Sequence, residues 1–183
     1  GFKVTVADTP PAHNLALVIS GDPAVAGSYH TAVAPVATAK AFTSGVSAKL
    51  VYMDPAQGCT AAVNAAALAG NIALVDRGTC EFSAKIKAAK DAGAIACVVV
   101  NSRTEDLVAW PEGVFPIEMG IGAAGYQDIP AVMISYPDGA KIKAALASGL
   151  TASLIPDLTP AVGIADYGKG ASDIIFYFIV PKA

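Results

Sequence analysis

One stretch, from Asn71 to Asn101, limits what this chain can fold into more than any other. It opens with the apolar run Ile72–Val75, which stops at the polar Asp76-Arg77-Gly78. Phe82, Ile86 and Ala89 then recur at helical spacing, and Lys85, Lys87, Lys90 and Asp91 are assigned to the other faces. Gly93 stands where a helix C-cap is expected, and Ala94–Val100 is a second apolar run. Strand, helix and strand in so short a span predict a βαβ unit. Its strands should be parallel and its crossover right-handed, the hand on which a helix packs back onto a twisted sheet.

The flanking sequence adds strands. Residues 3–6 and 15–19, a stretch at 29–33, and Val46–Met53 each carry strand signals and end in turn residues. Short strands this closely spaced suggest a small barrel or sandwich layer. The alanine-rich residues 61–68 suggest a short helix, and 102–128 is a long excursion without clear periodicity. A strand at Ala131–Ser135, an N-cap at Asp138, a helix over 139–148 with Ala140, Ile142, Ala145 and Leu146 near one face, a cap at Gly149 and a strand at 150–155 follow. The hexapeptide Ala-Lys-Ile-Lys-Ala-Ala occurs at 84–89 and at 140–145, which suggests two similar strand–helix–strand units. The apolar run 173–180 reads as a covered final strand. No linker divides the chain, so one domain over 1–183 is expected.

The net charge of −3 and pI near 5.2 argue against nucleic acid or an anionic membrane as partner. Hydrophobic residues make up 54% of the chain, but no run approaches the ~20 residues that a membrane span needs. The chain opens at Gly1, which is expected of a mature or trimmed product.

The search for chemistry returns little. Gly120-Ile-Gly122-Ala-Ala-Gly125 has the spacing of a dinucleotide fingerprint, but prolines precede it and a strand follows it, so a loop closing on Ile129 is expected. Neither a Gly-x-Ser-x-Gly elbow nor a His-Glu-x-x-His motif occurs, and His13 and His30 stand apart from any ligand pattern. Glu105, Asp106, Glu112 and Glu118 lack EF-hand spacing. No catalytic residue, metal or cofactor is assigned.

Arg77-Gly78-Thr79-Cys80 lies between a predicted strand and helix, where outward-facing amides and the helix dipole favour an anion. Arg77 adds a fork suited to a carboxylate or a peptide carbonyl. Its alternative role is structural, pairing with Asp76 or another carboxylate. Cys59 and Cys80 sit in polar, turn-like surroundings and Cys97 in an apolar run, a pattern that three reduced thiols would also satisfy.

The run from Ile72 to Asn101 resembles the signature of the protease-associated (PA) domain: a strand ending in Arg-Gly-x-Cys-x-Phe, a lysine-bearing helix, Ala-Gly-Ala and a valine-rich strand. Arg77, Gly78, Cys80, Phe82, Lys85, Ala89, Ala92, Gly93 and Ala94 fall in register with it. Ile129–Ser135 with Asp138-Gly139 resembles the family's second block, so that the resemblance spans about 59–150. It implies a mixed α/β fold of the swivelling β/β/α type, a strand-rich layer or small barrel carrying two amphipathic helices. It implies a Cys59–Cys80 disulfide, with Cys97 free and buried. It also implies peptide contact at Arg77, Gly78, Thr79 and Cys80, to which Trp110 is added as an aromatic in the long loop. The expected function is that of a non-catalytic, extracytoplasmic accessory domain that engages peptide or protein substrate, or an attached peptidase domain. The alternatives are a purely structural spacer and a small hydrolase.

Overall fold

A computed structural model describes residues 15–34, 39–40, 44–102 and 116–156, all within one compact unit, His13–Asp157. The strands expected at 3–6 and 173–180, and the completion of the sheet by the chain ends, lie outside the described residues. The elements in chain order are β1 (Leu15–Ser20), β2 (Gly27–Tyr29), β3 (Ala32–Val33), β4 (Val46–Tyr52), α1 (Ala65–Leu68), β5 (Ile72–Asp76), α2 (Phe82–Asp91), β6 (Ala96–Val100), β7 (Ala131–Ile134), α3 (Tyr136–Ala145) and β8 (Thr151–Pro156). A turn of 3-10 helix, Leu146–Ser148, extends α3.

The strands form one mixed sheet in the order β2-β1-β8-β4-β5-β6-β7-β3. β4, β5, β6 and β7 run parallel, as the βαβ reading requires. β8, β1 and β2 continue the sheet antiparallel on one side, and β3 closes the other. The end strands β2 and β3 are not paired with each other, so the sheet is an open layer and not a closed barrel.

Alternation along the strands sorts the side chains onto two faces. Ala73, Val75, Cys97, Val99, Ala131 and Met133 face α2, where Ile86 and Ala89 meet them, and Leu68 of α1 joins this cluster. Ile72, Leu74, Val98, Val100, Val132 and Ile134 face α3, which contributes Ile142. Through Leu50 of β4 this second cluster continues into the antiparallel half at Leu17, Ile19, Ala152 and Leu154. β5, β6 and β7 are thus covered on both sides and read as unbroken apolar runs. β8, covered on one side, alternates.

Several local expectations are corrected. The stretch 29–33 is two strands at opposite ends of the sheet, β2 against β1 and β3 against β7. The helix expected over 61–68 shrinks to Ala65–Leu68. Val63 N–H donates to Asp54 O, and the Asn64 side chain bridges Tyr52 O and Asp54 N, which holds 61–64 against the end of β4. α3 starts at Tyr136, not Gly139, and its N-cap is Ser135. Ser135 Oγ accepts from Asp138 N–H at 3.1 Å and donates to the Asp138 carboxylate at 2.7 Å, so Asp138 closes the cap from the first turn. Ala140 is exposed, and Gly139 takes the inward place beside Val100, where a Cβ would stand 2.1 Å from Cγ1. Gly93 and Gly149 do terminate their helices in the left-handed conformation, at φ +85° and +77°. The segment 120–125 forms a loop with a turn from Gly122 to Gly125 and opens no helix.

Candidate functional site

The parallel strands β4 to β7 end on a common edge, and in open α/β sheets this is where ligands gather. The turn from Asp76 to Cys80 joins β5 to α2 there. Its backbone is pinned by Asp76 N–H to Ala56 O and by Arg77 N–H to Val100 O, each at 2.8 Å. The Arg77 guanidinium donates to Asn101 Oδ1 at 2.9 Å and lies 5.8 Å from the centre of the Phe82 ring. Asn101, buried at the end of β6, thereby fixes the direction of the fork. The expected alternative partner, Asp76, is occupied elsewhere. It accepts from the Tyr52 hydroxyl and from Lys143 Nζ, so the carboxylate ties β4, β5 and α3 together.

Gly78 and Thr79 are exposed, and the Gln57 side chain lies across them. Gln57 Oε1 accepts from both Thr79 N–H and Thr79 Oγ1, each at 3.1 Å. A Cβ on Gly78 would stand 2.2 Å from Gln57 Cδ, so only glycine lets an amide group come this close. The turn therefore already presents paired donors to an amide oxygen.

Cys59 and Cys80 form the disulfide that the resemblance implied, and Cys97 is free and buried. Burial pushes the Cys97 thiol up to about 12. Lys85 departs from expectation. Placed in the sequence on an outer face of α2, it is fully buried beneath the disulfide. Its Nζ donates to Gln57 O at 2.7 Å and approaches Cys80 Sγ at 3.3 Å and Cys59 Sγ at 3.7 Å. Burial draws its pKa below the ordinary lysine value, while Cys97 and Asp76 pull the other way. Spacing could have found it: residue 85 stands three after Phe82 and four before Ala89, on the face those two share.

Trp110 lies outside the described residues, as do His13, Glu105, Asp106 and Glu112. His30 and Glu118 are exposed. Among the described residues no three of His, Cys, Asp and Glu come together as a metal site. No helix among them is long and apolar enough to cross a membrane.

An open mixed sheet with helices on both faces and a disulfide bracing its strand–helix turn define a compact α/β module. Residues 46–142, more than half of the chain, match the PA domain, and the chain belongs to that family. It is 34% identical over 121 residues to signal peptide peptidase-like 2 of Arabidopsis thaliana, covering 64% of this chain and 20% of that protein. It is 37% identical over 115 residues to the PRADC1-like protein of Drosophila melanogaster, covering 59% of this chain and 56% of that one. The chain thus spans a fifth and just over half of these two relatives. Among solved structures, an aminopeptidase from Aneurinibacillus sp. strain AM-1 aligns with a TM-score of 0.55 at 24% identity, over 80% of this chain and 31% of that one. That likeness is one of fold.

Proposed function

We propose that this chain is a non-catalytic binding domain that holds peptide or protein through the turn Arg77-Gly78-Thr79-Cys80, as an accessory segment of an extracytoplasmic peptidase. One observation carries the reading: the turn's donors are already engaged by an amide oxygen, that of Gln57. A peptide carbonyl or terminal carboxylate has the same acceptor chemistry and would replace it, with Arg77 supplying the charge-assisted bond. Trp110 is proposed as a second, aromatic contact. The disulfide supports an oxidising, secreted or lumenal setting. The peptidase names of the relatives support the accessory role.

Titrating short peptides into the isotopically labelled chain tests this by amide chemical shifts. Movement of the Arg77–Cys80 amides is expected, with affinity falling at least ~10-fold in Arg77→Ala, as loss of one charge-assisted bond requires. Gln57→Ala should bind more tightly, because it removes the resident acceptor. Shifts confined to other parts of the sheet, or none at millimolar peptide, would overturn the assignment.

A further inference from the structure

The buried lysine poses a problem of charge. Lys85 Nζ has three protons and three acceptors, namely the Gln57 carbonyl and the two disulfide sulfurs. Neutral disulfide sulfur is a weak acceptor, and among the described residues no carboxylate forms an ion pair with this ammonium. A desolvated cation without a counter-ion is costly, and its environment favours any reaction that creates an anion beside it. Cleavage of the disulfide does so.

The two cysteines also differ in exposure. Cys59 is exposed and lines an open groove of about 340 Å³ between the segment at Thr60–Ala65 and the side of α2 at Ala84 and Ala88, with Ala92 at the helix end. Cys80 is half-buried, and its Sγ is the nearer of the two to Lys85 Nζ. A nucleophile entering the groove meets Cys59, and the sulfur it would displace is the nearer of the two to the ammonium.

We propose that the Cys59–Cys80 bond is a thiol-exchange site at which a small-molecule thiol attacks Cys59 and Cys80 leaves as a thiolate held by Lys85. In the first step the external thiolate forms a bond to Cys59 Sγ, the Cys59–Cys80 bond breaks, and its electron pair goes to Cys80 Sγ. A second external thiolate then attacks the outer sulfur of the mixed disulfide and releases Cys59, which takes a proton from water. In sum, two thiols are oxidised to their disulfide and the protein bond is reduced by two electrons. A stabilised leaving thiolate speeds the first step and favours the reduced state. The other titratable groups around the pair are Cys97 from β6, Asp76 from β5, Arg77 and Glu81 beside Cys80 in sequence, and Lys87 and Asp91 of α2, which line the groove with Cys59 and pair with each other. The Glu81 carboxylate is engaged by Ala123 N–H at 2.7 Å, and Cys97 keeps its proton at neutral pH. Opening the bond would also remove the covalent tie between the segment at Gln57–Cys59 and the Arg77–Cys80 turn. The exchange chemistry stands whether or not that turn binds peptide.

The test uses the full chain in glutathione redox buffers, acid-quenched, alkylated and read by mass spectrometry. Glutathione is expected on Cys59 in the mixed disulfide, and the Lys85→Met variant should require a ~10-fold more reducing buffer for half-reduction, the effect of about one unit in the leaving thiol's pKa. Glutathione on Cys80 in place of Cys59, or identical midpoints for the two proteins, would overturn the proposal. Should Lys85→Met fail to fold, Cys59→Ser with Lys85 intact gives an independent reading from the pH dependence of Cys80 alkylation. A midpoint clearly below the ~8.5 of an ordinary cysteine supports the ammonium–thiolate pair, and one at or above it overturns the pair.

Discussion

At the residue scale the strongest constraint on the polar edge is the Asp76 carboxylate. It accepts from the Tyr52 hydroxyl and, at 2.9 Å, from Lys143 Nζ, which also lies 5.5 Å from the centre of the Tyr52 ring. Burial first, and then the hydrogen bond to Asp76 and its charge, push the Tyr52 phenol up from its ordinary value. The folded chain therefore keeps this proton where the unfolded chain, near pH ~10, gives it up. With more protons bound in the native state, stability falls as pH rises through that region. Tyr52→Phe should be about 1 kcal/mol less stable than wild type near neutral pH, through loss of one hydrogen bond at a part-exposed site. It should also lose less stability than wild type between pH ~9 and ~11. Urea denaturation at those pH values decides the matter, and parallel pH profiles would show that Asp76 does not hold the phenol. Neither this cluster nor the Gln57–Thr79 contact was legible in the sequence, because each joins residues distant along the chain. Lys85 was legible by spacing, but its charge argued for the surface. What outweighs that charge is a carbonyl and two sulfurs brought to it by a different segment.

At the element scale α3 depends on its first turn. Ser135 Oγ accepts from Asp138 N–H, satisfying one of the donors a helix start leaves open, and Asp138 answers through its carboxylate. Ser135→Ala should cost about 1 kcal/mol in chemical denaturation, and Ser135→Asn, which restores an acceptor, should recover most of it. An unchanged midpoint for Ser135→Ala would mean that packing alone fixes this end. The sequence named the right residue types here and assigned the cap three positions late, because Ser135 and Asp138 are both good caps and Pro137 fits either register. The long elements were legible for a physical reason. β5, α2, β6 and β7 each bury an apolar run or stripe, and burial writes a period into the sequence. The short ones were not. β2 and β3 hold three and two residues, too few to show a period, and α1 gives up its first turn to side-chain bonds from Asn64. The repeated hexapeptide is a likeness of helices only. Ile86 and Ile142 are both fully buried, but on opposite faces of the sheet, and Lys85 is buried where Lys141 is exposed.

At the scale of the described unit, two apolar layers divide the work unequally. The layer under α2 joins β5, β6 and β7 to α1 and to Met119 and Ile129. The layer under α3 runs from Leu17 and Ile19 of β1 through Leu154 of β8 to Val132 and Ile134 of β7. It is the one that couples the antiparallel half of the sheet to the parallel half. Ile86→Ala and Ile142→Ala each remove a fully buried side chain, and each should cost about 2–5 kcal/mol. The two losses should differ in reach. Native-state hydrogen exchange of Ile142→Ala should quicken in β1 and β8 as well as in β5 to β7, whereas Ile86→Ala should leave β1 and β8 closer to wild type. If Ile142→Ala instead left β1 and β8 at wild-type protection, the antiparallel strands would be held by their own ladder. The two halves would then be separate folding units that share a sheet.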